Sequence, residues 1–96
     1  MGVMNDHIIK FLEVIRVRTT GFYESTVLSE LLDGLEKPRG LIDIKLYVHA
    51  SRPGDFSINL DWRNDHDQTE RSELGINLSN RLKEFGMVDH AVWIEK

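Results

Sequence analysis

Apolar and polar residues alternate with a period of two in four stretches of the chain, and apolar residues recur every three or four positions in two others. The first strand-like run spans about Ile8 to Arg18. It is apolar on both parities, with Phe11, Ile15 and Val17 on one and Leu12 and Val14 on the other. Successive side chains of a strand point to opposite faces, so this run reads as a strand with two buried sides. Its parity leaves open whether Glu13 or the pair Arg16 and Arg18 faces away from the helices. Thr19-Thr20-Gly21 breaks the run, and Thr20 is placed to cap a helix after it. That helix is predicted over about Phe22 to Glu36, where Val27, Leu28, Leu31, Leu32 and Leu35 form one stripe. Pro38 ends it, and Gly40 permits a tight turn.

Two strands alternate strictly. From Leu41 to His49, Ile42, Ile44, Leu46 and Val48 oppose Asp43, Lys45, Tyr47 and His49. Pro53-Gly54-Asp55 signals a turn. From Phe56 to Arg63, Phe56, Ile58, Leu60 and Trp62 oppose Ser57, Asn59, Asp61 and Arg63. A second helix is predicted over about Thr69 to Phe85. Asp67 and Glu70 have the spacing of a capping box, Leu74, Leu78, Leu82 and Phe85 form the stripe, and Gly86 comes next as the cap. The last strand, about Met87 to Glu95, sets Val88, His90, Val92 and Ile94 against Asp89, Ala91, Trp93 and Glu95. The order β-α-β-β-α-β predicts a single α+β domain over residues 1–96. It is the ferredoxin-like split βαβ layout, a four-stranded antiparallel sheet with both helices on one face.

Composition narrows the function classes. A chain of 96 residues buries roughly 60–65% of its unfolded surface on folding alone, so burying more by association is favourable. The absence of cysteine excludes disulfides and thiolate metal sites. The formal charge is −4 and the basic residues are scattered, which is not the footprint of a nucleic-acid binder. No apolar run is long enough for a membrane span, and the polar start predicts no signal peptide, so the expected setting is the cytoplasm.

With the apolar faces of the middle strands turned to the helices, the other sheet face carries Tyr47, His49, Asn59, Asp61 and Arg63, with Trp93 as a neighbour. Two such faces packed together would make a homodimer enclosing a space with apolar walls and a few convergent polar groups. That is the usual form of a small-molecule site. The competing reading is a half-polar face open to solvent.

The turn Pro38-Arg39-Gly40-Leu41, the segment Gly54 to Trp62 and the terminal strand with Trp93 resemble the dimeric α/β barrel proteins of the antibiotic biosynthesis monooxygenase type. The resemblance covers about Leu12 to the end. It implies a homodimeric α/β barrel, and it implies a cofactor-independent oxygenase of quinols or phenols or a non-catalytic binding or structural homodimer. Cofactor-free members use Asn, Trp and a Tyr or His, which makes His49, Asn59 and Trp62 the candidate catalytic residues; Trp62 alone matches by position. Tyr47, Asp61, Arg16 and Trp93 are the candidate contacts to a small aromatic ligand. Haem-degrading members carry a helix 2 histidine some ten residues beyond the tryptophan. Here that place falls near Ser72, so no haem and no other cofactor is expected.

Each candidate has a plainer reading. Trp62 lies on the apolar face and reads as core. His49 reads as an exposed strand-end residue, although an imidazole facing a cavity suits proton abstraction from a phenol. His90, among Val88, Val92 and Ile94, reads as a buried, hydrogen-bonded histidine. Arg16 and Arg18 suit an anionic ligand or cross-strand pairs with acids. The polar loop with Asp65, His66 and Asp67 has no metal-ligand spacing, and no metal is expected. Neither a Ser-His-Asp arrangement nor a glycine-rich phosphate loop is read in the chain.

Overall fold

The computed structural model describes residues 8–19, 25–64 and 71–96. Its elements take the order β1 (Ile9–Thr19), α1 (Ser25–Asp33), β2 (Leu41–Val48), β3 (Phe56–Asn64), α2 (Glu73–Leu82) and β4 (Gly86–Ile94). The four strands form one antiparallel sheet in the spatial order β2-β3-β1-β4. Leu28 of α1 and Leu78 and Leu82 of α2 enter the same buried cluster, which places both helices on one face. The fold is therefore the α+β, ferredoxin-like βαββαβ arrangement. Among the described residues no helix is long and apolar enough to cross a membrane.

Register settles the parity of β1. Phe11, Glu13, Ile15 and Val17 lie beneath the helices, paired with Trp62, Leu60, Ile58 and Phe56 of β3. Lys10, Leu12, Val14, Arg16 and Arg18 point the other way. The physical reason is a choice between charges. One parity buries a single carboxylate, whereas the other would bury three cations, and a buried charge is tolerable only when fully paired. The core above β1 and β3 is tight. Phe11 stacks on Trp62 at 5.8 Å between ring centroids, and Phe56 meets Phe85 edge-on at 6.3 Å.

The strict alternation expected for β2 is broken at its start. Pairing passes from Leu41–Trp62 directly to Asp43–Asp61, so Ile42 is the extra residue of a β-bulge and lies half exposed. Leu41 takes the core position instead, and alternation resumes with Ile44 and Leu46. Both turns around β2 use a glycine at positive φ. The amide of Leu41 donates to the carbonyl of Pro38 across Gly40 (φ 95), and that of Asp55 to Arg52 across Gly54 (φ 92). Positive φ at the third residue is the type II signature, with proline at the second place of the Arg52–Asp55 turn.

Helix ends also depart from the sequence expectation. Helix α1 stops at Asp33 rather than Glu36, where Leu35 N–H turns back to Leu32 one residue early. Helix α2 begins at Glu73 with Ser72 as its N-cap, the Ser72 hydroxyl accepting from Gly75 N–H at 2.9 Å. Thr20 and the Asp67–Glu70 capping box lie outside the described residues. Gly86 is not a helix cap but the first residue of β4. Its Cα sits so close to the Arg18 carbonyl that a Cβ would overlap it.

Candidate functional site

The two sheet faces carry two different constellations. On the helix-free face, register aligns side chains in rows across all four strands: Tyr47, Ser57, Arg16 and Asp89; then Lys45, Asn59, Val14 and Ala91; then Asp43, Asp61, Leu12 and Trp93. At one end a cleft of about 640 Å³ is lined by Arg16, Arg18, Tyr47, His49, Arg52 and Met87 among others. Arg16 donates to Asp89 at 2.8 Å across exposed side chains. Asp55 accepts from the Thr19 amide at 3.1 Å. The guanidinium groups of Arg18 and Arg52 have no carboxylate partner among the described residues. The cleft therefore has a surplus of positive charge beside an aromatic ring.

The sequence candidates divide between the faces. Tyr47, Arg16 and His49 meet at the cleft, all exposed. Asn59 is half-buried one row inward, and its amide oxygen finds no donor among the described residues. Asp61 and Trp93 sit at the far end of the face, two rows from Tyr47, Trp93 with 63% of its surface exposed. Trp62 is on the opposite face, in the core, and is not brought together with His49 and Asn59. His49 has a structural task. Its Nδ1 accepts from the amides of Ser51 at 3.1 Å and Arg52 at 3.0 Å, closing the turn after β2. Both of those donors need the Nδ1 lone pair, so in the neutral ring the proton sits on Nε2 and no free basic nitrogen faces the cleft.

Beneath the helices lies the second constellation, centred on Glu13, which is fully buried. Its Oε1 accepts from Trp62 Nε1 at 3.0 Å and from the Ser72 hydroxyl at 2.6 Å. Its Oε2 accepts from Ser72 N–H at 3.0 Å and meets His90 Nε2 at 2.6 Å. His90 Nδ1 in turn lies 3.1 Å from the Ser79 hydroxyl. Strand geometry brings these groups together. Trp62 and His90 are each two residues from the direct partners of Glu13, Leu60 and Val92, and so lie on its diagonals. Ser72, Gly75 and Ser79 line the inward side of α2. Gly75 leaves the necessary room: a Cβ there would overlap the Glu13 carboxylate and come within 2.9 Å of His90 Nε2.

The donors fix the protons. Trp62 Nε1 and Ser72 N can only donate, and the Ser72 hydroxyl, already accepting from Gly75, turns its hydrogen to Glu13. A carboxylate surrounded in this way is the ionised acceptor, so His90 presents Nε2–H to it. The remaining His90 nitrogen, Nδ1, then has its lone pair directed at the Ser79 hydroxyl in the neutral ring. A cleft of about 330 Å³ between α2 and β4 reaches Ser79 and His90 and is also lined by Arg71, Asn80, Lys83 and Asp89.

Sequence reasoning weighed Glu13 only as a candidate for the helix-free face and left Ser72 and Ser79 outside the site, and it saw no Ser-His-acid arrangement because the three groups come from β1, α2 and β4. His90 is nearly buried and hydrogen-bonded, as its apolar neighbours imply. The signal for Glu13 was present: it is the one charge among Phe11, Ile15 and Val17. Ser72, near the place where the resemblance puts a haem-ligating histidine, holds Glu13 instead. No protein-family model matches the chain, and no curated protein or solved structure matches it.

Proposed function

We propose that the chain is a small-molecule-binding homodimer, in which a second copy covers the helix-free face and the arginine cleft takes a small aromatic anion. The observation that carries this reading is the apolar patch on that face. Trp93 is 63% exposed and pairs across with Leu12, next to the half-buried pair Val14 and Ala91. Contiguous exposed apolar surface on a small domain marks an interaction site. Arg16, Arg18 and Arg52 suit a carboxylate or phenolate, and the Tyr47 ring offers a stacking surface.

Binding is favoured over cofactor-free oxygenation at this cleft. Abstraction of a phenol proton there would fall to His49, whose lone pair is held by the turn. The likeness to the antibiotic biosynthesis monooxygenase type then extends to architecture and a barrel between two sheets, without its chemistry at His49 and Asn59.

Sedimentation at micromolar concentration is expected to give a dimer, and Trp93→Arg a monomer with its fold intact. Calorimetric titration with hydroxybenzoate is expected to saturate, and to weaken about tenfold in the double variant Arg18→Ala, Arg52→Ala. A wild-type monomer would overturn the dimer. A dimer that takes up no hydroxybenzoate would leave a structural homodimer.

A further inference from the structure

The Glu13–His90–Ser79 chain is independent of that reading, since it lies on the other side of the sheet. Its parts have the logic of an activated nucleophile: a hydroxyl within reach of a base, and the base oriented by a third group. Glu13, buried and held by Trp62 and Ser72, keeps His90 in the tautomer whose free nitrogen faces Ser79. The Ser79–His90 distance of 3.1 Å is a hydrogen bond. The hydroxyl also satisfies the nearly buried His90 Nδ1, which an alanine at position 79 would leave without a partner. Two further facts point outward. Ser79 and His90 are nearly buried, with 6% of Ser79 and 4% of the His90 side chain exposed, and both reach the wall of the cleft between α2 and β4, which also carries Arg71, Asn80 and Lys83. Among the described residues Arg71 and Lys83 have no carboxylate partner, and Asp89, the one acid in the cleft wall, is already paired with Arg16.

We propose that Ser79 is a His90-activated nucleophile and that the cleft takes small carboxylic esters bearing an anionic group, which Arg71 and Lys83 attract. In the first step Ser79 Oγ bonds to the ester carbonyl carbon while its proton passes to His90 Nδ1. The ester C–O bond then breaks, and the leaving oxygen takes that proton as an alcohol. In the second step water, deprotonated by His90, adds to the acyl carbon; the bond to Ser79 breaks, and the acid is released with the serine restored. Glu13 stabilises the imidazolium formed in both steps.

A fluorophosphonate probe tests the nucleophile directly. Attack of Ser79 on phosphorus expels fluoride, the serine proton leaves by way of His90, and one probe is added per chain. Mass spectrometry is expected to map the adduct to Ser79. Labelling should vanish in Ser79→Ala and slow about 100-fold in a folded His90→Gln variant, the scale of general-base assistance. No adduct, an adduct elsewhere, or an unchanged rate in folded His90→Gln would overturn the proposal. If His90→Gln fails to fold, the absence of native cysteine supplies a second measurement. The thiol of Ser79→Cys should react with iodoacetamide at neutral pH about tenfold faster than that of Ser29→Cys, placed on the exposed side of α1. An equal or slower rate overturns activation at this position.

Discussion

The two faces of the sheet handle charge in opposite ways. Beneath the helices a single acid, Glu13, is held by four groups from three elements, and no other charged side chain is buried there among the described residues. Across the sheet, Lys10, Arg16, Arg18, Asp61, Arg63 and Asp89 share one surface, and the contact between Arg16 and Asp89 has both side chains largely exposed. Water explains the difference. On the open face it solvates each charge, so incomplete pairing is tolerated and a pair contributes little. Beneath the helices nothing else can satisfy the carboxylate, so the surrounding donors must be complete. One buried, fully partnered charge therefore constrains more of the fold than several exposed ones.

The sharpest way to break this contrast is Glu13→Gln. The new amide nitrogen must face Trp62 Nε1–H, Ser72 or His90, all of which donate. A loss of about 3–5 kcal/mol is expected, from donors left without acceptors in a dry site. Domains of this size hold only about 5–15 kcal/mol in total, so urea denaturation should show a marginal protein. A midpoint unchanged from wild type would mean that water reaches Glu13 and that the two faces are not distinct.

Gly75→Ala tests the same site from the helix side, and two effects compete. Alanine raises helix propensity by up to about 1 kcal/mol over glycine. Against this, its Cβ would overlap the Glu13 carboxylate, an overpacking loss of about 1–3 kcal/mol. We expect net destabilisation of about 1–2 kcal/mol by thermal melting. Stabilisation would show that α2 can lift away from Glu13 without loss.

How far the sequence discloses these two faces depends on the range of the interactions that shape each. Elements and order were legible because alternation in β2, β3 and β4, and the leucine stripes of both helices, are local patterns. The parity of β3 and β4 came from the same alternation. The parity of β1 did not, because its two sides are equally apolar; it is decided by partners in β3, α2 and β4 that only folding brings near. The bulge at Ile42 was hidden for a related reason, since both Leu41 and Ile42 are good core residues and the choice belongs to the pairing with Trp62. The site was least legible of all. Residue types suggested Tyr47, His49 and Asn59, which lie on the open face, whereas Glu13, Ser72, Ser79 and His90 are separated along the chain and meet only through diagonal strand neighbours and the inward side of α2 with its N-cap.

The smallest expected effect concerns Arg16 and Asp89, and it bears on whether the open face stays open. In an isolated chain both side chains are exposed, so Arg16→Ala should change stability by at most about 0.5–1 kcal/mol, and less in high salt. A double-mutant cycle with Asp89→Ala should give a coupling of the same small size at protein concentrations where the chain is monomeric. If a second copy covers this face, the pair loses its water. Its coupling should then grow at concentrations where the dimer forms, because removing one partner strands the other charge in a drier place. The cycle is therefore best measured at two concentrations bracketing the dissociation constant. A coupling that stays small at both would mean that this end of the face remains solvated in the assembled protein, and the interface would then be confined to the patch around Leu12, Val14, Ala91 and Trp93. A coupling that is already large in the monomer would remove the contrast between the faces, since an exposed pair would then be as constrained as the buried acid.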